Sequence, residues 1–407
     1  MSQIFIIIHL LIFIIGLSML TLRYIRIGHV VFLNLHSLVL FFGIFYISVP
    51  GYVTLFFDYS PVFANSETIL ATSMIGAYFN IIFLICAAFS KYRTPIPVTT
   101  SKKPQMLPFY RAVSFLILAY LILVLSLQID DIIAVSGNRA LQSHLNTDFS
   151  RYFKIKALFY PLIGSIIVLS LHYRSRGYFL LTMPYVFLDL SLSGRGYLFV
   201  ILVSYFLTSI FVGKPIKLRY PVFFVLTIAS IAVFRTGDVS TRQLVQIVYE
   251  FIFTWSTTHL AYDTPDSFNA TTAFFYSWLR VFPSIVYSTF FGSYTSYTSI
   301  TTEANPLGWG LAGSLVAESI IFKNTVIIIL FPIFISIFAS FINAFLRRGT
   351  LSGALLFTLT AMQLQQMFRF SFLELYLYPL YILIFLFPHL WVFDMLNRKK
   401  VFNFYKI

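Results

Sequence analysis

Residues 324–348 read NTVIIILFPIFISIFASFINAFLRR, twenty-three residues without a charge closed by the pair Arg347 and Arg348. As a helix, a run of that length covers a hydrocarbon core of ~30 Å. The terminal arginines mark the side on which it stops. Similar apolar runs recur along the chain near 4–22, 29–50, 68–90, 111–128, 157–173, 177–192, 197–213, 220–234, 350–367 and 375–394. The expected architecture is therefore an all-α, polytopic integral membrane protein with about eleven transmembrane helices. The segment 307–322 is a candidate half-inserted stretch.

Composition supports the same class. Of 407 residues, 59% are hydrophobic and 10% charged, and the mean hydropathy is +0.86, values that a soluble domain of this length does not tolerate. The 48 Phe and 26 Tyr suit lipid-facing surface and interfacial belts. The first stretch, 4–22, lacks a basic leader and a small-residue cleavage site, so it is expected to be retained as a span. Cys86 is the sole cysteine, so no intrachain disulfide forms.

Lys and Arg in the short loops set the orientation. One face receives Arg23 and Arg26; Lys91, Arg93, Lys102, Lys103 and Arg111; Arg174 and Arg176; Lys214, Lys217 and Arg219; Arg347 and Arg348; and the tail Arg398, Lys399, Lys400 and Lys406. These 18 of the 28 basic residues fall on alternate loops. That face is read as the cytoplasm, with the N-terminus periplasmic and the C-terminus cytoplasmic. The net charge of +14 is largely these orientation signals and gives no reason to expect a nucleic-acid partner.

Seven of the ten remaining basic residues are arginine, whose planar fork grips phosphate in two places and keeps its charge when partly dehydrated. Arg195 lies in Leu192-Ser193-Gly194-Arg195-Gly196 between two spans, while Arg235 and Arg369 each stand at the outer end of one. An ionisable group there costs a few kcal/mol unless it lines a polar cavity or meets an anion. The plainer alternative for each is an arginine snorkelling to lipid headgroups. Arg280 lies between Trp278 and Phe282, a setting that suits cation–π packing as well as phosphate.

The chain reads as one integral domain, 1–407, containing a large periplasmic loop, 235–323, with amphipathic helices. Leu244, Ile247, Val248 and Phe251 repeat there at helical spacing, and Trp278 to Pro283 forms an aromatic segment. Glu318 closes Gly308-Trp309-Gly310-Leu311-Ala312-Gly313-Ser314-Leu315-Val316-Ala317-Glu318, a small-residue run that lets helices approach and buries a carboxylate near the membrane surface. It is the candidate general base, with structural pairing to an arginine as the alternative. His259 and Asp263, four apart, form either a base with its orienter or, more simply, a surface pair. No metal-binding motif, phosphate-cradling glycine loop or cofactor signature is present.

In the order and context of Ser193 to Gly196, Trp278 to Pro283, Gly308 to Glu318 and Phe368-Arg369-Phe370, the chain resembles the Wzy-type O-antigen polymerases. The resemblance implies a glycosyltransferase of the bacterial inner membrane. Such an enzyme joins undecaprenyl-diphosphate-linked oligosaccharide repeat units at the periplasmic face, with a chain-length regulator of the Wzz type as partner. It also implies that Arg195, Arg280 and Arg369, assisted by Arg235, hold lipid diphosphates, with no cofactor or metal required. The catalytic assignment of Glu318 comes from its placement and not from the resemblance. An O-antigen ligase, for which His259 would serve, and a lipid-linked oligosaccharide flippase are the rival readings.

Arg195→Lys keeps the charge and loses the fork. Shortened O-antigen chains on lipopolysaccharide gels are the expected result, whereas a wild-type length distribution would favour snorkelling.

Overall fold

The computed structural model describes residues 2–58, 64–91, 149–172, 196–212, 241–263 and 314–369, with isolated positions between 112 and 126 and at 182–183. Among the described residues the regular structure is helical, and no strand occurs. In chain order the helices are α1 (Ser2–Ile27), α2 (Leu35–Gly43), α3 (Val49–Phe57), α4 (Ser66–Phe89), α5 (Phe149–His172), α6 (Gly196–Phe211), α7 (Thr241–Asp263), α8 (Leu315–Ile320), α9 (Thr325–Arg347) and α10 (Leu351–Arg369). Among the described residues, four helical stretches are long and apolar enough to cross a membrane: Ser2–Leu33, Leu35–Phe57, Ser66–Phe89 and Thr325–Arg347. The expected spans at 111–128, 177–192, 220–234 and 375–394 lie largely or wholly outside the described residues.

The chain divides into two compact units interleaved along the sequence. The first comprises Met1–Thr94, Leu244–Ala344 and Gln363–Leu377, and the second Pro95–Gln243, Phe345–Met362 and Tyr378–Ile407.

In the first unit, α9 shows why these helices suit lipid. Val326, Ile329, Leu330, Ile333, Phe334, Ile337 and Phe341 form an exposed stripe at helical spacing, while Phe331, Ile335, Ala339 and Ile342 are buried. Both faces are apolar, as a lipid-exposed helix requires and a water-exposed one does not. Helix ends are closed by polar side chains. Asn34 accepts from His36 N–H at 3.0 Å, Asn65 from Thr68 N–H at 2.7 Å, and Asn324 from Val326 N–H at 2.9 Å. Each satisfies a donor that the first helical turn leaves open.

Cross-helix contacts fix the directions. The Arg23 guanidinium donates to the carbonyls of Ala87 at 2.6 Å and Ala88 at 2.7 Å, the last turn of α4, and a His9 ring nitrogen pairs with the Ser73 carbonyl at 3.1 Å. Hence α1 and α4 run parallel. The α2–α3 stretch returns between them, because Gly16 meets Ile44 at one level and Gly51 meets the His9 ring at another. At the end carrying Arg23 and Lys91, called the basic end below, Asn343 of α9 accepts from Leu35 N–H at 2.8 Å.

The expected loop 51–67 begins later than the apolar count suggests, since α3 continues to Phe57 and ends on left-handed Asp58 at φ 46°. Pro50 lacks an N–H and disturbs the ladder ahead of it, and the chain adapts through a π turn at Ile44–Ser48. Asn80 staples that turn, its amide donating to the Gly43 carbonyl at 2.9 Å and the Ser48 hydroxyl at 2.7 Å.

α7 carries the amphipathic segment expected in the large loop, and it runs beside α4. Thr68 donates to the Asp263 carboxylate at 2.7 Å. Trp255 lies against Gly76, where an added Cβ would stand 2.5 Å from the indole. Gly76 is about ten residues into α4, or about 15 Å along its axis. The C-terminal half of α7 therefore lies alongside a membrane-length helix instead of wholly beyond it.

In the second unit, α5 is buried all round from Leu162 to Leu169. Gly164 lets Leu359 and Met362 approach to where a Cβ would meet them at 2.8 and 2.9 Å. Phe211 of α6 packs edge-on to Phe357 at 5.8 Å.

Gly76→Val should overpack the α4–α7 contact and cost about 1–3 kcal/mol. Thermal unfolding in detergent should show a midpoint several degrees lower, while Met74→Ala, on the exposed face of the same helix, leaves it near wild type.

Candidate functional site

α8 is a single buried turn and a half. All six of its residues are buried, and Glu318 is 2% exposed. The Glu318 N–H donates to the Ser314 carbonyl at 3.0 Å. Ser314 precedes the helix in extended conformation, and its hydroxyl accepts from the Thr258 hydroxyl at 3.1 Å. That bond ties α8 to α7. Glu318 lies four residues beyond Ser314, so both are on the same side of the turn.

Around Thr258, α7 carries a buried polar run. Thr254, Ser256, Thr257, Thr258 and His259 are each at most 1% exposed, and Trp255 among them is fully buried. Such a run is tolerated because short hydroxyls return to their own helix. Ser256, for instance, donates to the Ile252 carbonyl at 2.8 Å. His259 meets the Trp255 ring edge-on at 6.3 Å.

At the end opposite Arg23 and Lys91, charged groups rim the cluster. Lys323 has φ 47°, a left-handed turn that separates the end of α8 from α9. Its ammonium donates to the Tyr262 carbonyl and lies 5.5 Å from the centre of the Tyr262 ring. Asp263 is exposed and held by Thr68. The His259–Asp263 surface pair expected from their spacing is not what forms, because His259 is buried while α7 has emerged by Asp263.

Arg369 ends α10. The preceding Phe368 is 1% exposed and packs with Phe42 at 6.2 Å, Tyr46 at 6.1 Å and Phe83 at 6.1 Å. Gln365, one turn earlier, donates to the Tyr46 hydroxyl at 3.4 Å. Counted from Leu35, Phe42 and Tyr46 stand about 10 to 17 Å up from the basic end. Phe368 thus brings the end of α10 level with Phe42, Tyr46 and Phe83.

Glu318 and Arg369 belong to the same unit and are both referred to α7. Glu318 is reached through Thr258, and Phe368 through Tyr46, which packs edge-on against Phe251 at 4.8 Å. Arg195, Arg235 and Arg280 lie outside the described residues, Arg195 immediately before the first residue of α6. The segments Trp278 to Pro283 and Gly308 to Gly313 also lie outside them. Among the described residues, no group of three or more His, Cys, Asp or Glu is arranged to hold a metal ion.

Two features escaped the sequence reading. The hydroxyl run at 254–258 looks like ordinary polar loop sequence, and only its unbroken small side chains hint at burial. Asn80 had a clearer signal, being a polar amide inside an apolar run.

No protein-family model, curated protein or solved structure matches the chain.

Thr258→Val and Ser314→Ala should be coupled in a double-mutant cycle. The expected interaction energy in thermal or denaturant unfolding is about 1 kcal/mol, against near-additivity if the hydroxyls do not meet.

Proposed function

We propose that the chain is a Wzy-type O-antigen polymerase, a glycosyltransferase that joins undecaprenyl-diphosphate-linked repeat units at the periplasmic face of a bacterial inner membrane. The observation that carries this reading is Glu318. A carboxylate 2% exposed stands one turn from Ser314, whose hydroxyl is bonded to Thr258 within a buried run of hydroxyls, in a unit that includes helices long enough to cross a membrane. A buried carboxylate is costly, and such groups concentrate where a proton must be moved.

On this reading, an acceptor hydroxyl of one repeat unit attacks the anomeric carbon of the growing glycan. The new C–O bond forms as the bond to the diphosphate oxygen breaks, and that oxygen keeps the electron pair. The hydroxyl proton passes to the Glu318 carboxylate, and undecaprenyl diphosphate is released. Arg195, Arg235, Arg280 and Arg369 are assigned to the diphosphates, where guanidinium groups in a low-dielectric site stabilise the charge that builds on the leaving oxygen. The donor carries its own activated bond, so the step needs no nucleotide. A chain-length regulator of the Wzz type fits this reading as partner.

The ligase reading would place the acid–base role on His259, which is buried beside Thr258. The two readings separate in the lipopolysaccharide of a deletion strain. A core bearing a single repeat unit indicates a lost polymerase, and a bare core a lost ligase or flippase.

Glu318→Gln preserves the shape and removes the base. Polymerisation should fall at least about 100-fold, leaving single-repeat lipopolysaccharide at normal protein level. A full ladder from that variant would remove Glu318 from the mechanism.

A further inference from the structure

α9 changes character at Pro332. From Phe331 toward the basic end, buried residues recur at every turn, as Ile335, Ala339, Ile342 and Leu346 show. Toward the outer end, none of residues 323–330 is buried, and Val326, Ile329 and Leu330 are 61%, 46% and 53% exposed. A helix packed on one face buries a residue at each turn, so this outer arm stands off the rest of the unit.

The sequence explains where the change falls. Pro332 has no N–H to offer the Ile328 carbonyl, and its ring pushes that carbonyl aside, which breaks the ladder at this level. One turn on, Ser336 donates to the Pro332 carbonyl at 2.9 Å, a bond of the kind that bends helices. Tyr78 of α4 donates to the Ile329 carbonyl, just beyond the break, at 2.8 Å. Among the described residues, that phenol is the one hydrogen-bond partner that residues 324–330 have on another helix. The bond lies at an exposed edge, so breaking it disturbs no buried packing. The arm also carries its own cap, because Asn324 accepts from the Val326 and Ile327 N–H groups at 2.9 and 3.3 Å. Phe331, 5% exposed and 6.3 Å from Phe79, fixes the helix where the arm begins.

At its outer end the arm follows α8, which carries Glu318, across the left-handed turn at Lys323. α8 touches α4 as well, so arm and Glu318 turn succeed one another along the same helix. We propose that residues 324–330 are a lateral gate beside the Glu318 turn, pivoting at Pro332 and latched to α4 by the Tyr78–Ile329 bond. Passage of a lipid-linked substrate through it rests on the polymerase reading, whereas the hinge and the latch do not.

Pulsed electron resonance between spin labels, on the full-length protein in lipid nanodiscs without substrate, tests the gate by itself. Cys86→Ser removes the sole cysteine. Labels then go on exposed positions, Ile7→Cys with Val326→Cys to report on the arm and Ile7→Cys with Ile337→Cys to report on α9 below the proline. The arm pair should show a main distance and a minor second one. Tyr78→Phe should raise the second population about fivefold, the weight of one hydrogen bond, and leave the Ile337 pair unchanged. Pro332→Ala added to Tyr78→Phe should suppress it again by restoring the ladder. An arm distribution indifferent to Tyr78→Phe would overturn the latch. Equal shifts in both pairs, or a second population that survives Pro332→Ala, would overturn the hinge.

Discussion

A helix as polar as α7 can lie beside a membrane-length helix only where its surface is fitted closely and its hydroxyls are occupied. The contact of Trp255 with Gly76 meets the first condition, and hydroxyl-to-carbonyl bonds such as Ser256 to Ile252 meet the second. A side chain at position 76 would push α7 outward. Everything proposed for the first unit hangs on that contact, because α7 presents Thr258 to Ser314 at one level and Phe251 to Tyr46 at another.

The exterior and interior of this unit solve opposite problems. α9 shows a largely apolar stripe on its exposed side, where the few polar groups, such as Ser340 with His36, are paired. Inside, polar groups are numerous and their partners come from irregularities: the π turn before Pro50 stapled by Asn80, the left-handed turns at Asp58 and Lys323, and the asparagines that close helix starts. In hydrocarbon an unsatisfied backbone group costs several kcal/mol, so departures from regular helix are tolerated only where a side chain answers them. Asn80 at the π turn and Arg23 at the end of α4 are two such answers.

The spans were legible because apolar length is a property of sequence alone. The runs at 4–22, 68–90 and 324–346 each fall on a membrane-length helix; the boundaries of the last two agree within a turn, while the first stretch continues to Leu33. Long-range packing was not legible. Arg369 follows an apolar run of span length, but the residues that receive Phe368 beside it, Phe42, Tyr46 and Phe83, are far away in the chain. His259 was read as half of a surface pair with Asp263, and the packing of α7 buries it. Glu318 was singled out because its small-residue neighbours are a local signal, although the Thr258–Ser314 bond beside it joins residues 56 apart in sequence.

Arg369 brings a fixed charge to the end of α10 beside this aromatic cluster, and such a charge among apolar helices is costly unless it meets polar or anionic company. Gln365, bonded to Tyr46 one turn away, shows that polar company extends to this level. Along α7, the rise from Phe251 to Thr258 is about 10 Å, which sets the Arg369 level well below that of Glu318. If both serve the proposed transfer, they act on different parts of the substrate: Glu318 on the acceptor hydroxyl near the rim of Tyr262, Asp263 and Lys323, and Arg369 on charge drawn deeper among the helices.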